Sequence, residues 1–214
     1  MSGTTSMTSK QKRDLCRLAN DAFDEAGLDR ALAQKLYGKG GAYKAGIKKL
    51  IAELTASDLL RPIRTVVLPA TDPFITKDFF KEDRDSEAGI GWLGSDFKRY
   101  FLNKTEEAVI ETTLRIHQLV KASVDEPIIA ELGGTKTVET TLSQMYEMIK
   151  RQTHGEEGDL LVNGYANIFY IRDASGALWA VYCCWHSGSR CWYVEAASVT
   201  HPHKWRADLR VVSR

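Results

Sequence analysis

Alternating polar and apolar residues near the carboxyl end give this chain its clearest pattern. After Asn163-Gly164, three strand-like runs cover residues 166–172, 178–185 and 191–199. Turn-forming residues at 173–176 and 186–190 separate them. This arrangement predicts an antiparallel meander over 166–199. Because side chains alternate between the two faces of a strand, the members of each face follow from the sequence.

One face of this meander is predicted to be apolar and to point into the core. It carries Trp179, Val181, Cys183, Trp185, Trp192, Val194 and Ala196. The opposite face carries Tyr182, Cys184, Cys191, Tyr193 and Glu195. The turn adds His186, Ser187, Gly188 and Ser189, and the tail adds Thr200, His201, His203 and Arg206. These polar and aromatic types are the ones that binding surfaces favour, which makes this face the candidate ligand-binding site.

The rest of the chain predicts an α+β fold. Residues 1–8 are expected to be disordered, and residues 9–60 to form a small helical unit. There, apolar residues at helical spacing run from Leu15 to Ala26, and two further helices follow up to Leu54. Residues 61–214 are expected to form an α+β domain that begins with a mixed region and ends with the C-terminal antiparallel sheet. Sequence alone leaves open whether the N-terminal helices cover the polar face of that sheet.

Several shorter signals mark the mixed region. A strand is predicted at 66–68 between two prolines, another at Ile90–Leu93, and a helix cap at Ser95 or Asp96. Residues 110–116 alternate as a strand does, with His117 continuing the wet face, although a helix fits nearly as well. The stretch 141–144 fits a capping box at the start of a helix that ends near residue 154.

Charge and composition exclude some classes of protein. The 214 residues carry 29 Lys plus Arg against 28 Asp plus Glu, so a chain that binds polyanions over its whole surface is disfavoured. No apolar run approaches the length of a membrane span, and the N-terminus lacks the apolar core of a signal peptide. We therefore expect a cytoplasmic protein whose four cysteines are free thiols.

The tail LWAVYCCWHSGSRCWYVEAASVTHPHKWRADLRVVSR resembles the diversified C-terminus of target proteins of diversity-generating retroelements. That region closes on a motif similar to Gly-Phe-Arg-Val-Val, and the comparable residues here are Asp208-Leu209-Arg210-Val211-Val212. The resemblance covers roughly residues 165–214 and does not reach the N-terminal half. It implies a C-type-lectin-like fold and a hypervariable surface that binds a macromolecular or cell-surface ligand without catalysis.

The residue set carries a second similarity to that family, in which adenines of Asn codons are randomised. Leu209 and all the residues given above for the polar face, the turn and the tail, except Glu195, are products that such randomisation can give, so the resemblance implies that these positions vary. Trp179, Trp185, Trp192 and Trp205 interleave with them and would form the fixed scaffold. Glu195 and Lys204 are not products of such randomisation, so both would have to be fixed.

Other chemistries have weaker signals. A lysine-rich stretch without acids carries Lys35, Lys39, Lys44, Lys48 and Lys49, and as a nucleic-acid interface it is the alternative function. A Cys-His hydrolase built on Cys184 or Cys191 with His186 or His201 comes third, because no oxyanion hole is evident and Glu195 is the one candidate for an orienting carboxylate. Zinc is disfavoured because no CxxC or HxxxH pair is present. We expect no catalytic residue, metal or cofactor.

Overall fold

In the computed structural model the chain divides into two compact units, Met1–Ala56 and Ser57–Arg214. The structure describes residues 8–10, 13 and 17 of the first unit, and residues 59–202 and 204–214 of the second. The described residues at 9, 10, 13 and 17 are helical and exposed. Apart from these few positions, the described residues do not include the predicted N-terminal helices. They also do not include the lysine-rich stretch 35–49 or His203.

The second unit is an α+β structure with far more strand than helix. Its strands are β1 Leu60–Leu68, β2 Phe74–Ile75, β3 Ile90–Leu93, β4 Thr105–Glu106, β5 Thr112–Leu119, β6 Asn167–Arg172, β7 Leu178–His186, β8 Cys191–Ser198 and β9 Arg210–Ser213. Its helices are α1 Thr76–Phe79, α2 Ser95–Tyr100, α3 Asp125–Glu131, α4 Thr135–Val138 and α5 Leu142–Lys150.

Seven of these strands form one mixed sheet in the order β1-β5-β9-β6-β7-β8-β3. The predicted meander is confirmed, since β6, β7 and β8 pair antiparallel with nearly the expected bounds. The expectation of a purely antiparallel C-terminal sheet is wrong, because β9 pairs with β6 in parallel and β3 pairs with β8 in parallel. Both pairings join strands that are far apart in sequence, which no local pattern reveals.

The strand predicted at 66–68 is longer than expected and begins at Leu60. Pro62 lies inside it, at a register shift between Pro62 and Arg64. In the described sheet β1 is a terminal strand, where a residue without an N–H is tolerated.

Helix α2 is capped by Gly94 rather than by Ser95 or Asp96, and no side chain caps it. The prediction that His117 faces solvent is wrong. Its side chain is buried, because strand β5 lies between β1 and β9.

Both faces of the sheet carry buried side chains, and alternate residues of its central strands enter two separate apolar clusters. Phe169, Val181 and Val212 pack in one cluster with helix α5. Ile168 and Val211 pack in the other, with residues of α3 and the C-terminal loop. The sheet therefore has an inner face, beneath α5, and an outer face, which α3 and residues 199–209 cover in part.

Helix α5 begins as the sequence predicts. The Thr141 hydroxyl accepts from the Gln144 N–H, and the Gln144 side chain accepts from the Thr141 N–H, so the capping box is confirmed. The sequence does not show that the buried Glu106 carboxylate also accepts from the Leu142 and Ser143 N–H groups, at 2.9 Å each. These acceptors satisfy donors that the first turn of a helix leaves free.

A buried carboxylate ties the cover of the outer face to the sheet. Asp125, the first residue of α3, is 2% exposed. Its Oδ1 accepts from the Tyr170 hydroxyl and from Trp205 Nε1, at 2.8 Å each. Burial and the Asp125 carboxylate raise the pKa of Tyr170, so the hydroxyl keeps its proton and donates. Helix α3, strand β6 and the C-terminal loop thus meet at one carboxylate.

We expect Asp125→Ala to lower the free energy of unfolding by about 3 kcal/mol, because two buried donors lose a charged acceptor. Urea denaturation of the full chain measures the loss. The matched control is Glu126→Ala, the next residue of the helix, which is exposed and should change stability by less than about 0.5 kcal/mol. Equal losses in the two variants would contradict the anchoring role.

Candidate functional site

The face of β7 and β8 that sequence predicts to be apolar is the inner face. Val181, Cys183, Trp192 and Val194 have no exposed surface, and Trp185 is 7% exposed. Ala196 is buried, and Trp179 is half-buried with its ring 4.4 Å from that of Tyr100. The inward orientation of the tryptophans in the meander is therefore confirmed.

On the outer face, three aromatic side chains gather at one corner of the sheet. The His186 ring stacks on the Tyr193 ring, with centroids 4.8 Å apart and planes 6° from parallel. Trp92, on β3, lies beside Tyr193 at 5.5 Å and is 40% exposed. We call Trp92, His186 and Tyr193 the aromatic corner. Sequence reasoning missed Trp92 as a site residue, because only the parallel pairing of β3 with β8 brings it there.

The turn after β7 is held against this corner. The Ser189 N–H donates to His186 Nδ1 at 3.0 Å, and the Ser189 hydroxyl lies 3.3 Å from the Tyr193 hydroxyl. Ser187 and Gly188 are exposed, and Ser189 is half-buried. Arg190 closes the turn with a φ of 52°. The turn therefore presents small polar residues beside rings whose positions are fixed by mutual packing.

The middle of the outer face is covered instead of free. The Tyr182 ring packs edge-on against Trp205, at 5.2 Å between centroids, and Cys184 belongs to the same cluster. Burial raises the pKa of Tyr182 to about 12 and that of Cys184 to about 11. Both are half-buried, so they contribute to packing more than a free surface residue would.

Cys191 does not belong to the exposed face, contrary to the prediction. Its side chain is buried, and its Sγ occupies the space that a side chain at Gly91 on β3 would fill. Burial raises the pKa of this thiol. The alternation of β8 places Cys191 on the outer side as expected, but packing against Gly91 of the neighbouring parallel strand contributes to its burial.

The described tail residues remain at the surface. Thr200, His201 and Arg206 are exposed. Arg206 lies over the Tyr165 ring at 4.2 Å and donates to its hydroxyl at 2.7 Å. Thr200 and His201 line a largely apolar groove of about 520 Å³ between α3 and the loop after β8. Trp205 thus divides the exposed part of the predicted site into two. The aromatic corner and its turn lie on one side, and Thr200 and His201 lie on the other.

The weaker chemistries gain nothing from this geometry. Cys183 and Cys184 point to opposite faces of β7, and burial raises the pKa of every described cysteine thiol, which disfavours the thiolate that nucleophilic catalysis needs. Within residues 59–202 and 204–214 no cluster of three metal-ligating side chains occurs. The lysines of the nucleic-acid alternative lie outside the described residues, so that alternative stays a prediction.

Comparisons of the chain with protein-family models, curated proteins and solved structures find no match. Among the residues that the structure describes, no helix is long and apolar enough to cross a membrane.

Because Trp205 covers Tyr182 but not His186, substitutions at these two positions of β7 should differ in their effect on stability. We expect Tyr182→Ala to lower the free energy of unfolding by about 2 kcal/mol, since it removes a half-buried ring from a packed cluster. His186→Ala should cost less than about 1 kcal/mol, because that side chain is exposed. Urea denaturation distinguishes them, and a larger loss for His186→Ala would contradict the assignment of covered and free positions.

Cys184 should react slowly despite its partial exposure. In a Cys16→Ser background at pH 8, we expect its reaction with a disulfide reagent to be at least about 100-fold slower in native than in urea-unfolded protein, because a pKa near 11 leaves little thiolate. The rate should rise as pH increases towards that pKa. A Cys184→Ser variant in the same background identifies the signal, and rapid native labelling that this variant abolishes would contradict the prediction.

Proposed function

We propose that this protein is a non-enzymatic recognition protein that displays a diversified surface at its C-terminal sheet, as target proteins of diversity-generating retroelements do. The observation that carries the proposal is the division of β7 and β8 between a tryptophan-rich buried face and an exposed corner. Trp185 and Trp192 are buried, whereas His186 and the turn residues next to it are exposed. Side chains at exposed positions can change at little cost in stability.

Two residues near the end of the chain differ from the family motif, and the structural role of each supports the resemblance. Asp208 stands where the motif has glycine, and its φ of 70° lies in the left-handed region that glycine favours and aspartate tolerates. Leu209 stands where the motif has phenylalanine and is 3% exposed, as an apolar core residue should be. Both departures therefore preserve the structural role that the motif residue would have.

Burial narrows the set of positions that can vary freely. We infer that the variable positions are His186, Ser187, Gly188, Ser189, Tyr193, Thr200, His201 and Arg206. Cys191 and Leu209 are buried, and Tyr182 and Cys184 support Trp205, so these four positions are constrained by packing. Trp92 lies outside the tail and would be a fixed part of the binding surface. Tryptophan and tyrosine are frequent energetic centres of protein interfaces, so the exposed Trp92 beside the half-buried Tyr193 favours a macromolecular ligand.

Sequencing this gene from many individuals of its source population tests the proposal without knowledge of the ligand. We expect amino-acid differences to concentrate at the eight inferred positions, while Trp185, Trp192 and Val194 stay constant. A near-copy of the 3′ end of the gene beside a reverse transcriptase gene is expected at the same locus. Differences spread evenly over exposed positions of the whole chain, at a locus lacking that copy, would overturn the proposal.

A further inference from the structure

A second site, independent of the outer face, lies where β1 and β9 meet the loop that precedes β6. Residues 157–163 of that loop enclose a cavity of about 420 Å³ together with Arg64 and Arg210. Its lining combines Arg64, Arg210 and Asn163 with the half-buried apolar residues Leu161 and Val162. A volume of this size suits a small ligand that has a polar and an apolar part.

The loop is fixed from below by two buried amide side chains. Gln152 accepts from the Leu160 N–H at 2.7 Å and donates to the Leu160 carbonyl at 3.1 Å. Asn167 accepts from the Leu161 N–H at 2.7 Å and donates to the Leu161 carbonyl at 3.1 Å. Gln152 is 3% exposed and Asn167 is fully buried. The cavity wall is therefore ordered before any ligand binds, which reduces the entropy cost of binding.

Arg64 and Arg210 lie close together, and Asp159 compensates their two charges only in part. Arg210 Nη1 donates to the carbonyls of Gly158 and Asp159, which are uncharged acceptors. Its Nε is buried without an acceptor in the described part of the chain. Burial and the nearby Arg64 lower the pKa of Arg210. The Asp159 carboxylate forms a partly exposed ion pair with Arg64 at 3.4 Å, and its charge also attracts Arg210.

A third donor lies at the same cavity. The Asn163 side chain accepts from the Tyr165 N–H at 3.2 Å through its Oδ1, which leaves the two N–H bonds of its amide as donors. Guanidinium groups and amides bind oxyanions through several hydrogen bonds at once. Glu157 also lines the cavity and opposes an anion, so binding strength depends on the balance between these charges.

We propose that this cavity binds a small phosphorylated molecule, with its phosphate group on Arg64, Arg210 and Asn163. Leu161 and Val162 would contact the organic part of the ligand. Because the cavity shares no residue with the aromatic corner, this site and the recognition face can be tested separately.

Titration of the full chain with inorganic phosphate and with phenyl phosphate, an ester with an apolar organic part, followed by amide NMR shifts, tests the proposal. We expect saturable shifts in residues 157–163 with both, and tighter binding of the ester. Arg64→Gln should weaken binding about tenfold, the loss of one charge-assisted contact. Glu157→Gln should strengthen it, because an opposing charge is removed.

Arg61→Gln is the matched control, since Arg61 is an exposed arginine on the same strand and bonds Gln118 on β5. It should leave binding unchanged. The proposal is overturned if neither anion gives saturable shifts in the loop, or if Arg61→Gln weakens binding as much as Arg64→Gln. Binding of inorganic phosphate without binding of the ester would also overturn the assignment of a phosphorylated molecule.

Discussion

The cover of the outer face of the sheet depends on the hydrogen bonds that the buried Asp125 carboxylate accepts from Tyr170 and Trp205. A buried charge is costly unless it is well hydrogen-bonded, and here two strong donors from different segments converge on one oxygen. Backbone hydrogen bonds between Ser123 and Trp205, at 2.8 and 3.0 Å, hold the same segments together. The C-terminal loop is therefore fixed over the sheet by polar bonds as well as by apolar packing.

This anchor decides which part of the candidate surface is free. Trp205 covers Tyr182, while α3 and the loop after β8 define the groove beside Thr200 and His201. The corner on the other side stays open, and its rings are fixed by stacking and by the bonds of Ser189. A rigid scaffold with exposed, replaceable side chains is the arrangement that a diversified recognition surface needs, because new side chains then leave the backbone unchanged.

The cavity beside Arg64 and Arg210 also depends on a side chain held in a fixed position. Arg210 belongs to the stretch that resembles the family motif, and its neighbours Val211 and Val212 enter the two cores on either side of the sheet. The backbone at this position is therefore fixed by burial, and the guanidinium is fixed by the loop carbonyls. A charged group in a fixed position, with its charge partly uncompensated, can bind an anion with little rearrangement.

Sequence alone determined the local structure, because periodicity and capping depend on neighbours in the chain. The features it determined are the meander with its inward tryptophans, the capping box of α5 and the strand at Ile90–Leu93. Only the tertiary structure decided the parallel pairing of β3 and β9, the burial of Cys191 and the place of Trp92 in the corner. Those features depend on contacts between segments distant in sequence. Alternation can tell which side of a strand a residue is on, but not what lies above it.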